Sequence, residues 1–207
     1  MDQESELRQE DSALLFHPYN IIMVLTIGSL TMLFLALTAS FVYSRVQNGE
    51  KMPEINFPPI FLVNTLILLG SSATLQWAKK CYLWDETENY QKALLYTIIL
   101  SVLFMVSQFF GWSALFASDI FIDSNLSASY LYAISGLHFV HVIAGLPFLV
   151  LFLLTAIKRM KEPVSVLVYF SDPAKRLKLR LLTLYWHFLD ALWIYLVLFF
   201  LINRYLI

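Results

Sequence analysis

Hydrophobic residues run along this chain in long blocks rather than in alternation. Five blocks stand out, at about 19–43, 60–78, 94–117, 130–157 and 181–202. Each approaches or exceeds the roughly 20 helical residues needed to cross a hydrocarbon layer about 30 Å thick. None shows the period of two that a barrel strand requires, and lipid tolerates no unpaired strand edge. The spans are therefore predicted to be helices, and the fold class all-α: a polytopic membrane protein with five transmembrane helices. Residues 19–207 make up the five-helix membrane domain, and residues 1–18 an acidic, polar segment ahead of it. A secretory signal needs a basic start and then an apolar core, so no cleaved targeting peptide is predicted.

The connections between blocks differ in character. Residues 44–59 are rich in proline and polar groups and are expected to be ordered only by their neighbours. Residues 118–129 carry Asp119 and Asp123 and no basic side chain. Residues 158–180 contain an apolar patch at 164–170 that is too short to cross. It is expected to rest at the lipid surface or to pack on a neighbouring subunit.

Charge then sets an orientation. Of the 14 Lys and Arg residues, only Arg45, Lys51 and Arg204 fall on the side that excludes the N-terminus. The other eleven of the 14 share its side, among them Lys79, Lys80, Lys92 and the cluster between Lys158 and Arg180. Cytoplasmic segments collect basic residues, so the N-terminus is predicted inside and the C-terminus outside. The location predicted is a bacterial inner (cytoplasmic) membrane, crossed several times. With 59% hydrophobic and 14% charged residues, the chain carries far less charge than the ~25% of a soluble domain. A formal net charge of -1 offers nothing to a nucleic acid. The single cysteine, Cys81, excludes an intrachain disulfide and Cys-x-x-Cys metal ligands.

Candidate chemistry lies inside the spans. The last holds Tyr185-Trp186-His187-Phe188-Leu189-Asp190-Ala191-Leu192-Trp193. A carboxylate in mid-membrane is costly and is kept where it faces protein, a partner charge or water. Trp186 and Trp193, seven apart, share a helix face with Asp190 roughly between them. The fourth span holds His138 and His141 on one face, followed by Pro147, a candidate kink that frees a carbonyl. Counted at about 1.5 Å per residue, His141 and Asp190 lie level, so Asp190 is expected to pair with His138 or His141. The cluster His138, His141, His187 and Asp190 is read as interhelical hydrogen bonding that fixes packing. A metal or haem site and a proton path are the alternatives.

Asn64, Thr65, Ser71, Ser72, Thr74 and Gln76 in the second span, with Ser107 and Gln108 in the third, have the character of helix–helix contacts. Trp77, Trp84 and Trp112, near span ends, suit an aromatic belt. No phosphate-binding glycine loop, H-E-x-x-H or G-x-S-x-G occurs, and no catalytic, cofactor or metal residue is assigned.

These residues resemble a known family, subunit III of the haem–copper terminal oxidases. The last span looks like its W-H-F-x-D-x-x-W motif. Residues Gly136-Leu137-His138-Phe139-Val140-His141-Val142-Ile143-Ala144-Gly145 are similar to its G-x-H-x-x-H-V-I-x-G motif. Asn64-Thr65 through Ser71 to Trp77-Ala78 resembles its N-T…S-S-x-T-x-x-W-A stretch, and Gln108 falls where the family carries a glutamine. The likeness runs from about Pro18 to the end and matches the five-helix form. One departure is the first span, Ile27-Gly28-Ser29-Leu30-Thr31-Met32-Leu33, where the family often has a buried glutamate and this chain has no carboxylate.

The resemblance implies a non-catalytic accessory subunit of a cytochrome c oxidase. Asn64, Thr65, Trp77, Gln108, Trp186 and Trp193 would be its motif packing residues. It implies no cofactor in this chain, haem and copper in a partner catalytic subunit I, bound lipid, further oxidase subunits and membership of a respiratory supercomplex. A quinol oxidase subunit III and a relative associated with nitric oxide reductase are alternatives within the family. A stand-alone membrane enzyme or transporter built on the His/Asp cluster is the alternative from a different class.

Overall fold

The structure, a computed structural model, describes residues 17–48, 59–160 and 162–206. The acidic N-terminal segment to residue 16 and residues 49–58 of the proline-rich connection lie outside them. Among the described residues six helices follow one another: α1 (Pro18–Asn48), α2 (Ile60–Leu83), α3 (Thr87–Ala117), α4 (Leu126–Arg159), α5 (Pro163–Phe170) and α6 (Pro173–Leu206). All but α5 are long and apolar enough to cross a membrane, and the described residues contain no strand. The chain is an all-α, multi-pass membrane protein.

The helices overrun the apolar blocks, most at the start of α3 and α6. A block ends where charge begins, but a helix does not. In α6 the stretch Lys175-Arg176-Leu177-Lys178-Leu179-Arg180 buries Leu177 and Leu179 while Arg176, Lys178 and Arg180 stay exposed. Long basic side chains can hold their heads in water while the backbone continues inward.

The chain divides into two units, Met1–Ala36 and Leu37–Ile207. The described part of the first is helical, and Thr26 and Thr31 return their hydroxyls to the carbonyls of Ile22 and Ile27 at 2.8 Å. Such back-bonding satisfies a hydroxyl without a partner helix.

In the second unit, α2 and α3 form a hairpin with a seven-residue rhythm. The buried positions on α2 include Phe61, Asn64, Leu68, Ser71, Leu75, Ala78 and Tyr82. Those on α3 include Tyr90, Leu94, Thr97, Ser101, Phe104, Gln108, Gly111 and Leu115. A 3.5-residue spacing keeps one seam facing a partner that crosses at a shallow angle. A single antiparallel register runs the length of the pair, from the Tyr82–Tyr90 ring contact through Ser71–Ser101 to Asn64–Gln108. At the far end Gly111 lies against Phe61, where an added Cβ would stand 3.4 Å from the ring. The turn between the helices places Asp85 at φ 57°, a left-handed conformation that aspartate tolerates better than most residues.

Asn125 begins α4 by accepting a hydrogen bond from the Ala128 N–H at 2.8 Å. Pro147 sits inside α4, and the helix continues past it to Arg159. Beyond residue 37, α1 meets α4 and α6 through polar contacts. Thr38 bonds the Tyr195 hydroxyl at 2.9 Å, Ser40 bonds that of Tyr130 at 2.7 Å, and Arg45 donates to the Asn203 carbonyl at 2.7 Å.

The apolar patch at 164–170 lies within helix α5. Its end turns into this chain's own core. Tyr169 and Phe170 are buried, and both rings meet Tyr82 of α2 and Tyr90 of α3. The Tyr82 hydroxyl donates to the Tyr169 carbonyl at 3.1 Å, and Lys175 lies 4.4 Å above the Tyr169 ring. Burial pushes the Tyr169 phenol up. Leu167 and Val168 remain exposed.

Asp172 starts α6, accepting from the Ala174 N–H at 3.0 Å and pairing with Lys175 at 3.0 Å. The Lys175 ammonium beside it holds its carboxyl below the usual carboxylate range. A depressed folded-state value stabilises the helix start above the ordinary carboxylate pKa, and the gain is lost as pH falls through the folded value. Asp172→Ala is expected to cost about 1 kcal/mol at neutral pH, the usual worth of such a cap. The difference between variant and wild type, followed by unfolding in mixed micelles, should shrink on acidification.

Candidate functional site

A ladder of polar side chains runs inside the bundle, with α2 at its centre. Each rung on the buried face of α2 finds a partner on α3 or α6. Asn64 Nδ2 donates to Gln108 Oε1 at 2.8 Å, and both residues are fully buried. Ser71 meets Ser101 at 3.4 Å, and Thr74 meets Thr97 at 2.9 Å. From α6, Trp186 Nε1 donates to Ser71 Oγ at 3.1 Å and Trp193 Nε1 to Thr65 Oγ1 at 3.1 Å. The two tryptophans, seven residues apart on α6, thus dock on two α2 hydroxyls six residues apart. Trp77 stacks on Tyr96 and is 38% exposed.

Three contacts extend the sequence reading. Trp112, expected in an aromatic belt, donates to Ser135 Oγ at 3.2 Å and packs edge-on to Phe139, joining α3 to α4. Its nearness to a span end did not reveal that its face points inward. Thr97, Ser101 and Ser135 escaped notice because each is a single small polar residue in an apolar run. The signal that finds Thr97 and Ser101 is the seven-residue rhythm of α3.

The histidines and the carboxylate do not form one cluster. His138 is fully buried and its Nε2 lies 3.2 Å from the Leu189 carbonyl of α6, with its ring 5.0 Å from that of Trp193. His141 Nδ1 lies 2.7 Å from the Leu137 carbonyl of its own helix. Asp190 makes no hydrogen bond to either, which overturns the expected pairing. The His141 carbonyl meets Tyr185 and the His138 ring meets the Leu189 carbonyl, so neither α4 histidine is aimed at the carboxylate. Asp190 turns toward α2, where its neighbours are Ser72 and, one turn back on α6, His187. His187 Nδ1 is 2.5 Å from Ser72 Oγ and 3.9 Å from Asp190 Oδ2, and its Nε2 is 3.4 Å from the Gln76 amide. Among the described residues, no three His, Cys, Asp or Glu side chains gather as a metal site would need.

One backbone contact sets how α4 and α6 approach. A Cβ on Gly145 would stand 2.9 Å from Cζ3 of Trp186 and 3.0 Å from Cε1 of Tyr185. Only a hydrogen fits there, so α4 offers its bare backbone to two aromatic rings. The Tyr185 hydroxyl donates to the His141 carbonyl at 3.1 Å, one turn away. The arrangement is suited to holding helices in one register.

Comparison with known proteins gives the family. The family model for cytochrome c oxidase subunit III matches residues 1–204. Similar curated proteins include cytochrome c oxidase subunit 3 of Loxodonta africana, 29% identical over 185 residues, covering 85% of this chain and 66% of the relative. That of Drosophila yakuba is 28% identical over 183 residues, covering 84% of this chain and 65% of the relative. The Neurospora crassa protein is 28% identical over 186 residues, covering 86% and 64% respectively. The chain thus spans just under two thirds of the length of these relatives. Five membrane-spanning helices suit the five-helix form, and since the match extends along almost the whole sequence, the chain belongs to the cytochrome c oxidase subunit III family.

Proposed function

We propose that this chain is a non-catalytic accessory subunit of a respiratory haem–copper oxidase, supporting proton-coupled reduction of oxygen to water by a separate catalytic subunit. The observation that carries the reading is how its intramembrane polar groups are used. Asn64, Ser71, Thr65, Gln108, Trp186 and Trp193 bond one another across helix faces instead of converging on a cavity. Side chains committed in this way fix helix packing. Haem and copper belong to the partner subunit I. Other oxidase subunits, membrane lipids and a respiratory supercomplex complete its surroundings. The names of the relatives favour cytochrome c over quinol as the donor. The polar ladder, with His138 on the Leu189 carbonyl, acts as a packing device within one membrane domain.

The same reading places the chain in a bacterial inner membrane with its N-terminus in the cytoplasm. Support comes from the basic residues: Lys79, Lys80, Lys92, Lys158, Arg159 and Lys175 belong to the end of the bundle where Tyr82, Tyr90 and Tyr169 meet. Such a concentration marks a cytoplasmic face.

The test compares the purified oxidase with and without this chain. Oxygen consumption should start at a similar rate in both and decay faster over many turnovers in the depleted complex. Loss of the haem–copper spectrum from an intact catalytic subunit would mean that this chain supplies a ligand. Identical assembly, stability and turnover would make it a bystander. Either outcome defeats the reading.

A further inference from the structure

Asp190 is the buried charge-bearing group that the packing reading leaves unexplained. It is 4% exposed, and neither carboxyl oxygen has a hydrogen bond from the described residues. The other buried polar residues of α6 do not share this state: Trp186 and Trp193 each donate to α2, and Thr183 returns its hydroxyl to Leu179. An ionised carboxylate in a low-dielectric interior demands a counter-charge or several donors. The titratable group facing it is His187 on its own helix, at 3.9 Å. From α2 comes Ser72, and from α4 the two histidines are turned to the Leu189 and Leu137 carbonyls. The neutral acid is the form such surroundings suit.

A line of polar side chains leads from this acid to the bundle surface. Gln76 is exposed on α2 and its amide lies 3.4 Å from His187 Nε2. The His187 side chain is 31% exposed, against 6% for that of Asp190. Its Nδ1 touches Ser72 Oγ at 2.5 Å, and both His187 and Ser72 neighbour the Asp190 carboxyl. Burial rises from exposed Gln76 through half-buried His187 and Ser72 to buried Asp190, and every group on the line can both gain and lose a proton or reorient. This stretch also stands on a face where bare lipid would leave Gln76 and His187 poorly solvated.

We propose that Asp190 is an intramembrane proton-binding site that exchanges its proton with the α2–α6 surface through Ser72, His187 and Gln76. Loading is balanced by a shift along the line. A proton from the surface bonds to His187 Nε2. The Nδ1–H bond breaks as its proton passes to Ser72 Oγ, and the hydroxyl proton of Ser72 passes to a carboxyl oxygen of Asp190. No electron is transferred, and release runs the same steps backward. The Gln76 amide orients the imidazole and can turn its oxygen toward a protonated Nε2. This site does not depend on which oxidase the chain serves.

Infrared spectroscopy of the full-length chain in lipid nanodiscs tests it, with aspartate labelled by carbon-13 at the side-chain carboxyl. The other aspartates lie outside the apolar blocks, so a neutral aspartic acid signal at neutral pH reports Asp190. Wild type should show that signal, and Asp190→Asn should lack it. Transfer to heavy water should shift it, and exchange should slow by about a hundredfold in His187→Phe, the scale of losing one positioned proton-transfer group. Ser72→Ala should slow it as well. Absence of the neutral-acid signal from labelled wild type would overturn the proposal without any variant having to fold. A signal whose exchange is unchanged in both His187→Phe and Ser72→Ala would overturn it equally.

Discussion

Trp193→Ala is expected to destabilise the folded bundle by about 3 kcal/mol, at the lower end of the usual cost of a buried tryptophan. The indole is 2% exposed and lies where four elements meet. It packs edge-on to Phe104 of α3 at 5.3 Å, tilts over His138 of α4 at 5.0 Å, and contacts Phe61 of α2 at 6.1 Å. Its Nε1–H donates to Thr65 at 3.1 Å. In lipid little is gained by hiding apolar area from water, so the loss is mainly of close contacts around the hole left behind. That is why the lower end of the range applies. Trp193→Phe keeps most of the ring volume and removes the hydrogen bond, so it should cost about 1 kcal/mol plus a smaller packing loss. Unfolding in mixed detergent micelles measures both. A Trp193→Ala variant as stable as wild type would show that the four helices do not depend on this contact.

Gly145→Val should be as damaging, for the opposite reason. The added side chain would begin 2.9 Å from the Trp186 ring and 3.0 Å from that of Tyr185. Trp186 is fixed by its bond to Ser71 and is 1% exposed, so it has nowhere to retreat. Helices α4 and α6 must separate, with overpacking costs of about 1–3 kcal/mol. Separation also strains the Tyr185 bond to the His141 carbonyl and the His138 approach to Leu189. Gly136, nine residues earlier on the same helix, is the control, because nothing lies within 4 Å of its added Cβ. Gly136→Ala should be neutral or stabilising by up to about 1 kcal/mol, since alanine favours the helix. Comparable loss in Gly136→Ala and Gly145→Val would mean that flexibility of α4, not close approach, is what these glycines provide.

The two cases show what kind of information a linear sequence carries. Glycines at 136 and 145 both sit in the same motif of α4, and nothing in their flanking residues separates them. What distinguishes them is a ring 41 residues further on for Gly145, the Trp186 side chain. In the same way, Trp112 near a span end reads as an interfacial residue until its bond to Ser135 is seen.

What the sequence by itself determined is the set of five membrane helices, their polar inner faces and the family. These are decided locally: lipid forces every backbone group to bond within its own segment, so each hydropathy block lies within a helix. The Trp186 and Trp193 spacing likewise placed both on one face, and both do meet α2. The tertiary structure alone decided which groups at one depth touch. His141 and Asp190 were expected to pair but have different neighbours, because the rotation and offset of each helix are set by packing. That packing is the Trp193 dock, the bare backbone at Gly145 and the single register of α2 on α3. The end of α5 followed the same rule: Tyr169 and Phe170 turned inward because Tyr82 and Tyr90, distant in sequence, meet there at the foot of the hairpin.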